Sequence, residues 1–343
     1  MTVLASGSKG NATIVAAGQT RLLIDAGLSC RELMRRMALV GEDPSSLSAI
    51  LITHEHLDHV SGLSVLARRF KIPVFFTEAT HRAWTRMMHP RKTMTYAAWL
   101  DRMEAERKAR AEETARAHAP AHTVVAEMAA AEEASEAQIP CGDYNQQDDM
   151  PSDSRLDAEQ ESESEATGIK ADPAFLPAVE YFAAGKSFAI GEIDVDPFTI
   201  PHDAADPCGF VFHARTESIR MAVATDLGYV PPNVKQALKN VDVLLLESNH
   251  DLEMLKDGPY PWSVKQRVLS RVGHLSNAAC AEFLMNDYDG GAHTIVLGHL
   301  SEQNNLPELA RMAAEQAISG QMSLLGNRLL IATQESPLDP ICL

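Results

Sequence analysis

His54-Glu55-His56-Leu57-Asp58-His59 places three histidines and an aspartate within six residues. The cluster follows the apolar run Ala49-Ile50-Leu51-Ile52-Thr53 and precedes a helical pattern from Ser61 to Phe70. A strand therefore delivers it to a loop at the strand's carboxyl end. His54 and His56 flank one residue, so in an extended segment they point to the same side. Asp58 and His59 follow on the turn and face a second position. The spacing reads as a pair of metals rather than one, with carboxylate and imidazole suiting a hard or borderline dication. Packing alone does not account for the cluster, because each buried ring would need its own hydrogen-bond partner. A helical zincin motif needs His-Glu-x-x-His, and here a histidine follows His-Glu at once.

The segment resembles the HxHxDH signature of the metallo-β-lactamase fold. Four further residues stand in the order that this resemblance implies. Asp25 ends Leu22-Leu23-Ile24, His202 follows Phe198-Thr199-Ile200-Pro201, Asp226 ends Ala222-Val223-Ala224-Thr225, and His299 follows Thr294-Ile295-Val296-Leu297-Gly298. Each stands at the end of an apolar, β-rich run. That placement puts them on one rim of a sandwich, where separate loops converge.

The chain has 343 residues, 45% of them hydrophobic, which suits a globular protein with one large domain or two small ones. No apolar run reaches the length of a membrane-spanning helix. The first residues lack a basic stretch followed by a long apolar one, so no signal peptide is expected and the cytoplasm is the expected compartment. Five scattered cysteines without a CxxC indicate neither a disulfide framework nor a cysteine zinc site. The net charge of −17 excludes a broad basic face for nucleic acid. Residues 90–178 hold 19 acidic and 9 basic side chains, so much of the excess lies there.

Strands are expected over 2–6, 12–17, 21–25, 49–53 and 73–77, with a helix over 29–39. Residues 90–178 turn to Ala, Glu, Ser, Gln and Asp, with few large apolar side chains. They read as a polar helix over 101–137 and a disordered stretch over 142–173, together an insertion on the surface. Strands return at 179–183, 187–190, 193–200, 209–214, 219–224, 241–246, 294–298 and 328–333. Helices read at 231–239, 261–271, 276–286 and 305–318. The two halves fit an α/β (α+β) four-layer αββα sandwich, a single domain over 1–343 that the 90–178 insertion interrupts.

Five separated segments point to a branch of the superfamily. They are Leu4-Ala5-Ser6-Gly7-Ser8-Lys9-Gly10-Asn11, Pro201-His202-Asp203, Glu247-Ser248-Asn249-His250, Gly273-His274-Leu275-Ser276-Asn277 and Gly298-His299-Leu300-Ser301. Together they resemble the YycJ/WalJ-type exonuclease family, over roughly 1–89 and 179–335. The resemblance implies a metal-dependent phosphodiesterase with 5′-to-3′ exonuclease activity on DNA. It implies one divalent metal on His54, His56 and His202, and a second on Asp58, His59 and His299, with Asp226 bridging. Asp25 would orient a ligand histidine from behind. Zinc, manganese or iron would suit these donors.

Two dications would activate water and neutralise the attacked phosphoryl group, and Asp58 would serve that chemistry as well as bind. His274, read at a helix N-terminus, resembles the phosphate-contacting histidine of ribonuclease Z relatives. It is the expected general acid, with Glu247 orienting it. Ser6, Asn11, His250, Ser276 and Asn277 are the candidates for substrate contact, against three other readings: Ser6 and Ser276 as loop hydrogen-bonding residues or helix caps, the Asn11 loop as a plain hairpin turn, and His250 as a structural hydrogen bond. Arg68-Arg69, Lys71, Lys265, Arg267 and Arg271 are the cations available to a DNA strand. The substrate is expected to be DNA or RNA ends, with no membrane. A homodimer and a protein partner for the acidic insertion are further expectations. Alternatives are RNA processing, a small phosphodiester, or thioester or lactam hydrolysis on the same fold. A metal-stabilised binding protein would show gaps in the ligand set, and none of the seven positions is substituted.

Overall fold

The strand runs are apolar at nearly every position rather than at every second one, the pattern of strands buried on both faces. The computed structural model describes residues 1–89, 96, 99–105, 107–108, 172–319 and 328–343. It divides into two units, Met1–Pro90 with Asp172–Leu343, and Arg91–Ala171. In the second unit, residues 99–105 are helical. The expected stretch over 142–173 and most of the helix over 101–137 lie outside the described residues.

The first unit holds two sheets. One runs in the order β1 (Thr2–Ala5), β2 (Ala12–Ala17), β3 (Thr20–Ile24), β4 (Ala49–Leu51), β5 (Val74–Phe76), β6 (Val179–Tyr181). The other contains β7 (Phe188–Ile190), β8 (Ile193–Thr199), β9 (Cys208–Ala214), β10 (Ile219–Ala224), β11 (Val243–Glu247), β12 (Thr294–Gly298) and β13 (Arg328–Ile331), ordered from β13 to β7. In each sheet an antiparallel meander joins a parallel half: β3, β4, β5 and β6 pair in parallel, as do β10, β11, β12 and β13.

Side-chain alternation sorts each strand between two layers. Leu22 and Ile24 join a core with Val195, Phe210, Val223, Leu245 and Val296, which lies between the sheets. Leu23 and Ile50 pack instead with α1 (Cys30–Leu39), through Leu33 and Met37, and with Trp84. On the second sheet, Ala222, Leu244, Leu246, Ile295 and Leu297 pack outward on Val234 of α5 (Pro232–Ala237), Phe283 of α8 (Asn277–Asn286) and Ala314 of α9 (Pro307–Ser319). This is the expected αββα sandwich.

Three local features differ from expectation. The helix read from Ser61 begins one turn earlier. Leu57–Val60 forms α2, which carries Asp58 and His59, and Leu63–Phe70 forms α3. The break falls where the segment is tied to the loop after β3: Gly62 N donates to Ala26 O at 2.8 Å and Ala26 N to His59 O at 2.8 Å. A Cβ on Gly27 would stand 1.6 Å from Asp58 O, so only glycine allows this approach. Two helices are additional, α4 (Glu78–Met88) and α6 (Leu252–Asp257), the latter followed by α7 (Trp262–Val268). In α4 only Thr80 and Trp84 are buried, too few to print a helical stripe. Among the described residues no helix is long and apolar enough to cross a membrane.

Candidate metal centre

Parallel strands end on the same edge, and the polar residues just past β3, β4, β10, β11 and β12 meet there. Asp25, Asp226 and His299 all take left-handed backbone conformations, with φ of 61°, 62° and 55°. Such backbone costs roughly 1–3 kcal/mol per non-glycine residue and persists where the surroundings over-determine it. It turns each side chain from the strand end toward the shared edge.

Four imidazoles then present one nitrogen inward while an outer partner engages the other, and His56 turns its Nδ1 to the same space. His54 Nδ1 lies 3.0 Å from Thr53 Oγ1, and its Nε2 lies 3.1 Å from His56 Nδ1. His202 Nδ1 lies 3.2 Å from Gly273 O, and its Nε2 lies 3.3 Å from the same His56 Nδ1. His59 Nδ1 lies 2.7 Å from Asp25 Oδ2, leaving Nε2 3.4 Å from Asp58 Oδ2 and 3.5 Å from Asp226 Oδ2. His299 Nδ1 lies 2.9 Å from Glu247 Oε1, with Nε2 3.4 Å from Asp58 Oδ2. Outer partners of this kind fix the tautomer and aim of a ligating histidine.

Potential ligand atoms converge in overlapping groups: His54, His56 and His202; Asp58, His59 and His299; His54, His59 and Asp226; and Asp226, Glu247, His274 and His299. Asp226 belongs to two of these, and its buried Oδ2 has no hydrogen-bond partner. A buried carboxylate oxygen left unpaired costs several kcal/mol unless a cation meets it. The donor set fits divalent metal: imidazole nitrogens and carboxylate oxygens converge within coordinating reach of one another.

Electrostatics divides the ring in two. Burial, then the neighbouring imidazoles, keeps His54 well below its ordinary range and takes His56 down to about 4. Burial likewise lowers His202. These three are therefore neutral, as a ligand must be. For His59, burial acts downward, but Asp58, Asp226 and Asp25 outweigh it and raise the group well above its usual value. His299 is raised the same way, with Asp226, Asp58 and Glu247 overcoming burial. The second half thus favours positive charge, and a dication held there would take the place of protons.

Glu247 is fully buried and uses both oxygens. Oε1 lies 2.8 Å from His274 Nδ1 and 2.9 Å from His299 Nδ1, while Oε2 accepts from Leu227 N at 2.5 Å and Leu275 N at 3.2 Å. Burial raises its pKa, but His274 and His299 win and hold it at about 2. One carboxylate therefore aims both the expected acid and an expected ligand. His274 precedes helix α8, whose cap is Ser276, so the expectation of a histidine at the helix N-terminus is corrected by two positions. Its ring lies 5.1 Å from both His202 and His299, and its side chain is 21% exposed, open to an incoming molecule.

Several expected substrate contacts are committed elsewhere. Ser6 Oγ accepts from His299 N at 2.7 Å and holds that strand end. Asn11 bonds Gly7 N at 2.9 Å and its Nδ2 lies 3.1 Å from Asp58 Oδ2. Ser276 Oγ caps α8 through Ala279 N, and Asn277 bonds Ser248 and Asn305. His250 is 1% exposed, its Nδ1 lies 3.4 Å from Asn249 Oδ1, and its carbonyl accepts from Asn277 N. Ser6, Asn11, Ser276 and Asn277 thus pair polar groups of the loops that carry the candidate ligands, while the buried Nε2 of His250 makes no hydrogen bond. Lys265 is also turned inward, its Nζ donating to Lys256 O at 2.7 Å.

Thr53, and Asp203 with its Oδ1 3.5 Å from His202 Nε2, stand behind the candidate ligands and were passed over by sequence reasoning. Thr53 Oγ1 donates to Asp25 Oδ2 at 2.8 Å while touching His54 and His59, which links both halves of the ring. Asp25 also accepts from Thr53 N at 2.9 Å. Asp25→Asn is expected to lower metal affinity by about 10–100-fold, read by competition with a chromogenic chelator. Unchanged affinity in folded Asp25→Asn protein would remove Asp25 from this role.

Residues 5–125 match the family model described as "Metallo-beta-lactamase superfamily", and residues 155–299 match the one described as "Beta-lactamase superfamily domain". Exodeoxyribonuclease YycJ of Bacillus anthracis is 31% identical over 316 residues, 92% of this chain and 88% of that protein. Exodeoxyribonuclease WalJ of Streptococcus pneumoniae is 30% identical over 310 residues, 90% and 84% of the two chains. Among solved structures, the metallo-beta-lactamase fold protein YhfI of Bacillus subtilis superposes with a TM-score of 0.54 at 12% identity, covering 98% of this chain and 99% of that one. The short form of human tRNase Z gives 0.51 at 15% identity, covering 99% of each. At these identities the likeness is one of fold.

Proposed function

This chain belongs to the family of the exodeoxyribonucleases YycJ and WalJ within the metallo-beta-lactamase superfamily, and on that footing we propose that it is a metal-dependent exonuclease that digests DNA from the 5′ end. The observation that carries the reading is the ring of inward-facing nitrogens and carboxylates around the buried Asp226, whose Oδ2 makes no hydrogen bond. His54, His56 and His202 would hold one dication, and Asp58, His59 and His299 a second, with Asp226 between them. Zinc and manganese both suit the donors, and iron is a third choice. When bound, two dications lower the pKa of a water and set positive charge against the phosphoryl oxygens.

The chain's own groups do the rest. Asp58 is a ligand that also accepts a hydrogen bond from the attacking water. His274 gives a proton from Nε2 to the leaving oxygen, while Glu247 holds Nδ1–H and stabilises the protonated ring. The leaving oxygen needs that proton because an alkoxide is a poor leaving group.

The test is a time course on duplex DNA with a labelled 5′-phosphate, in Mn²⁺, in Zn²⁺ and in EDTA. Mononucleotide release that requires metal and removes the 5′ label first is expected. Loss of the 3′ label first would reverse the polarity. Cleavage of RNA ends but not DNA would move the activity to RNA processing.

A further inference from the structure

The chain carries a net charge of −17, yet residues 256–271 hold Lys256, Lys265, Arg267 and Arg271 against Asp257 alone. Three of these cations have internal tasks. Lys265 Nζ is bound to Lys256 O, Arg267 Nε donates to Asp203 Oδ2 at 2.5 Å, and Lys256 pairs with Glu253 at 3.5 Å. Arg271 does something else. Its guanidinium lies over the Tyr229 ring, 4.4 Å from the centroid, and the residue is exposed. Among the described residues no carboxylate stands within ion-pair distance of it.

Its place in the fold is fixed by the candidate metal centre itself. Arg271 stands three residues before His274, and Tyr229 three residues after Asp226. A Cβ on Gly228 would lie 2.2 Å from Arg271 O, so the two loops are in close contact. Asp203 N donates to Val272 O at 3.1 Å, and His202 Nδ1 lies 3.2 Å from Gly273 O. The backbone that presents Arg271 therefore also positions His202 and His274.

A guanidinium held over an aromatic face loses little further freedom on binding an anion. On an acidic surface, such a group is where a phosphate can approach. We propose that Arg271 is a substrate-binding clamp for the backbone phosphate next to the one being cleaved, with Tyr229 as its positioning residue. This rests on the exonuclease reading above.

The test uses the intact protein with Arg271→Gln, Arg271→Lys and Tyr229→Leu, on a 5′-phosphorylated single-stranded oligonucleotide and on bis(4-nitrophenyl) phosphate. Arg271→Gln is expected to raise KM for the oligonucleotide roughly tenfold with kcat little changed, as loss of a charge-assisted hydrogen bond does. The slope of log KM against log salt falls by about 0.7, the value for one phosphate on a single strand. Arg271→Lys restores the slope but not all of the affinity, because a lysine cannot stack or bind in bidentate fashion. Tyr229→Leu raises KM roughly two- to fivefold. The small diester, which has no second phosphate, is hydrolysed alike by all four proteins. An active wild type whose KM and salt slope survive Arg271→Gln overturns the clamp alone. A wild type that hydrolyses the small diester but no oligonucleotide overturns the exonuclease reading, and the clamp with it.

Discussion

Asp226→Asn is expected to abolish DNA cleavage and to reduce the metal content of the purified protein. Asp226 is 2% exposed, and its Oδ1 stands 3.5 Å from His299 Nδ1 and 3.9 Å from His202 Nε2, so it faces both halves of the ring. An amide keeps the shape and the left-handed backbone, since asparagine tolerates that region. It removes the negative charge and turns one oxygen into a hydrogen-bond donor facing imidazoles. Lewis-acid stabilisation supplies several kcal/mol, so the rate should fall on the order of 10³-fold or more. Elemental analysis of the variant beside the wild type reads the metal loss directly. A variant that retained its metals and its rate would take Asp226 out of the centre.

His274→Gln is the second large effect, and its signature differs. Metal content should hold, while kcat on DNA falls by about 10²–10⁴, the usual contribution of general acid catalysis. The leaving group separates this role from a binding role. With bis(4-nitrophenyl) phosphate the departing nitrophenolate needs no proton, so the loss should nearly vanish. His274 also falls in a ligand-capable group with Asp226, Glu247 and His299. If the variant lost metal and lost both activities equally, His274 would be a ligand instead.

Much of this was legible in the chain, for a physical reason. The candidate ligands at strand ends follow apolar runs: His54, His202, Asp226 and His299 each stand just past one. The layered arrangement was legible too, because continuous apolar strand runs need cover on both faces. Support and contact were harder to tell apart. Ser6 and Asn11 lie in a polar loop that reads the same whether it meets a phosphate or holds His299 and Asp58. The Arg271–Tyr229 stack joins residues 42 positions apart in the chain, a pairing that no local pattern announces. Helix α4 escaped because its inner face shows only Thr80 and Trp84.

The most direct measurement strips the protein with chelator and returns metal in steps, with bound metal and the rate on 5′-labelled DNA read on the same samples. The stripped protein should not cleave DNA, and the rate should climb until two equivalents are bound, then stop. Cleavage by metal-free protein, or two bound metals with no cleavage of DNA, would contradict the metal-dependent exonuclease reading.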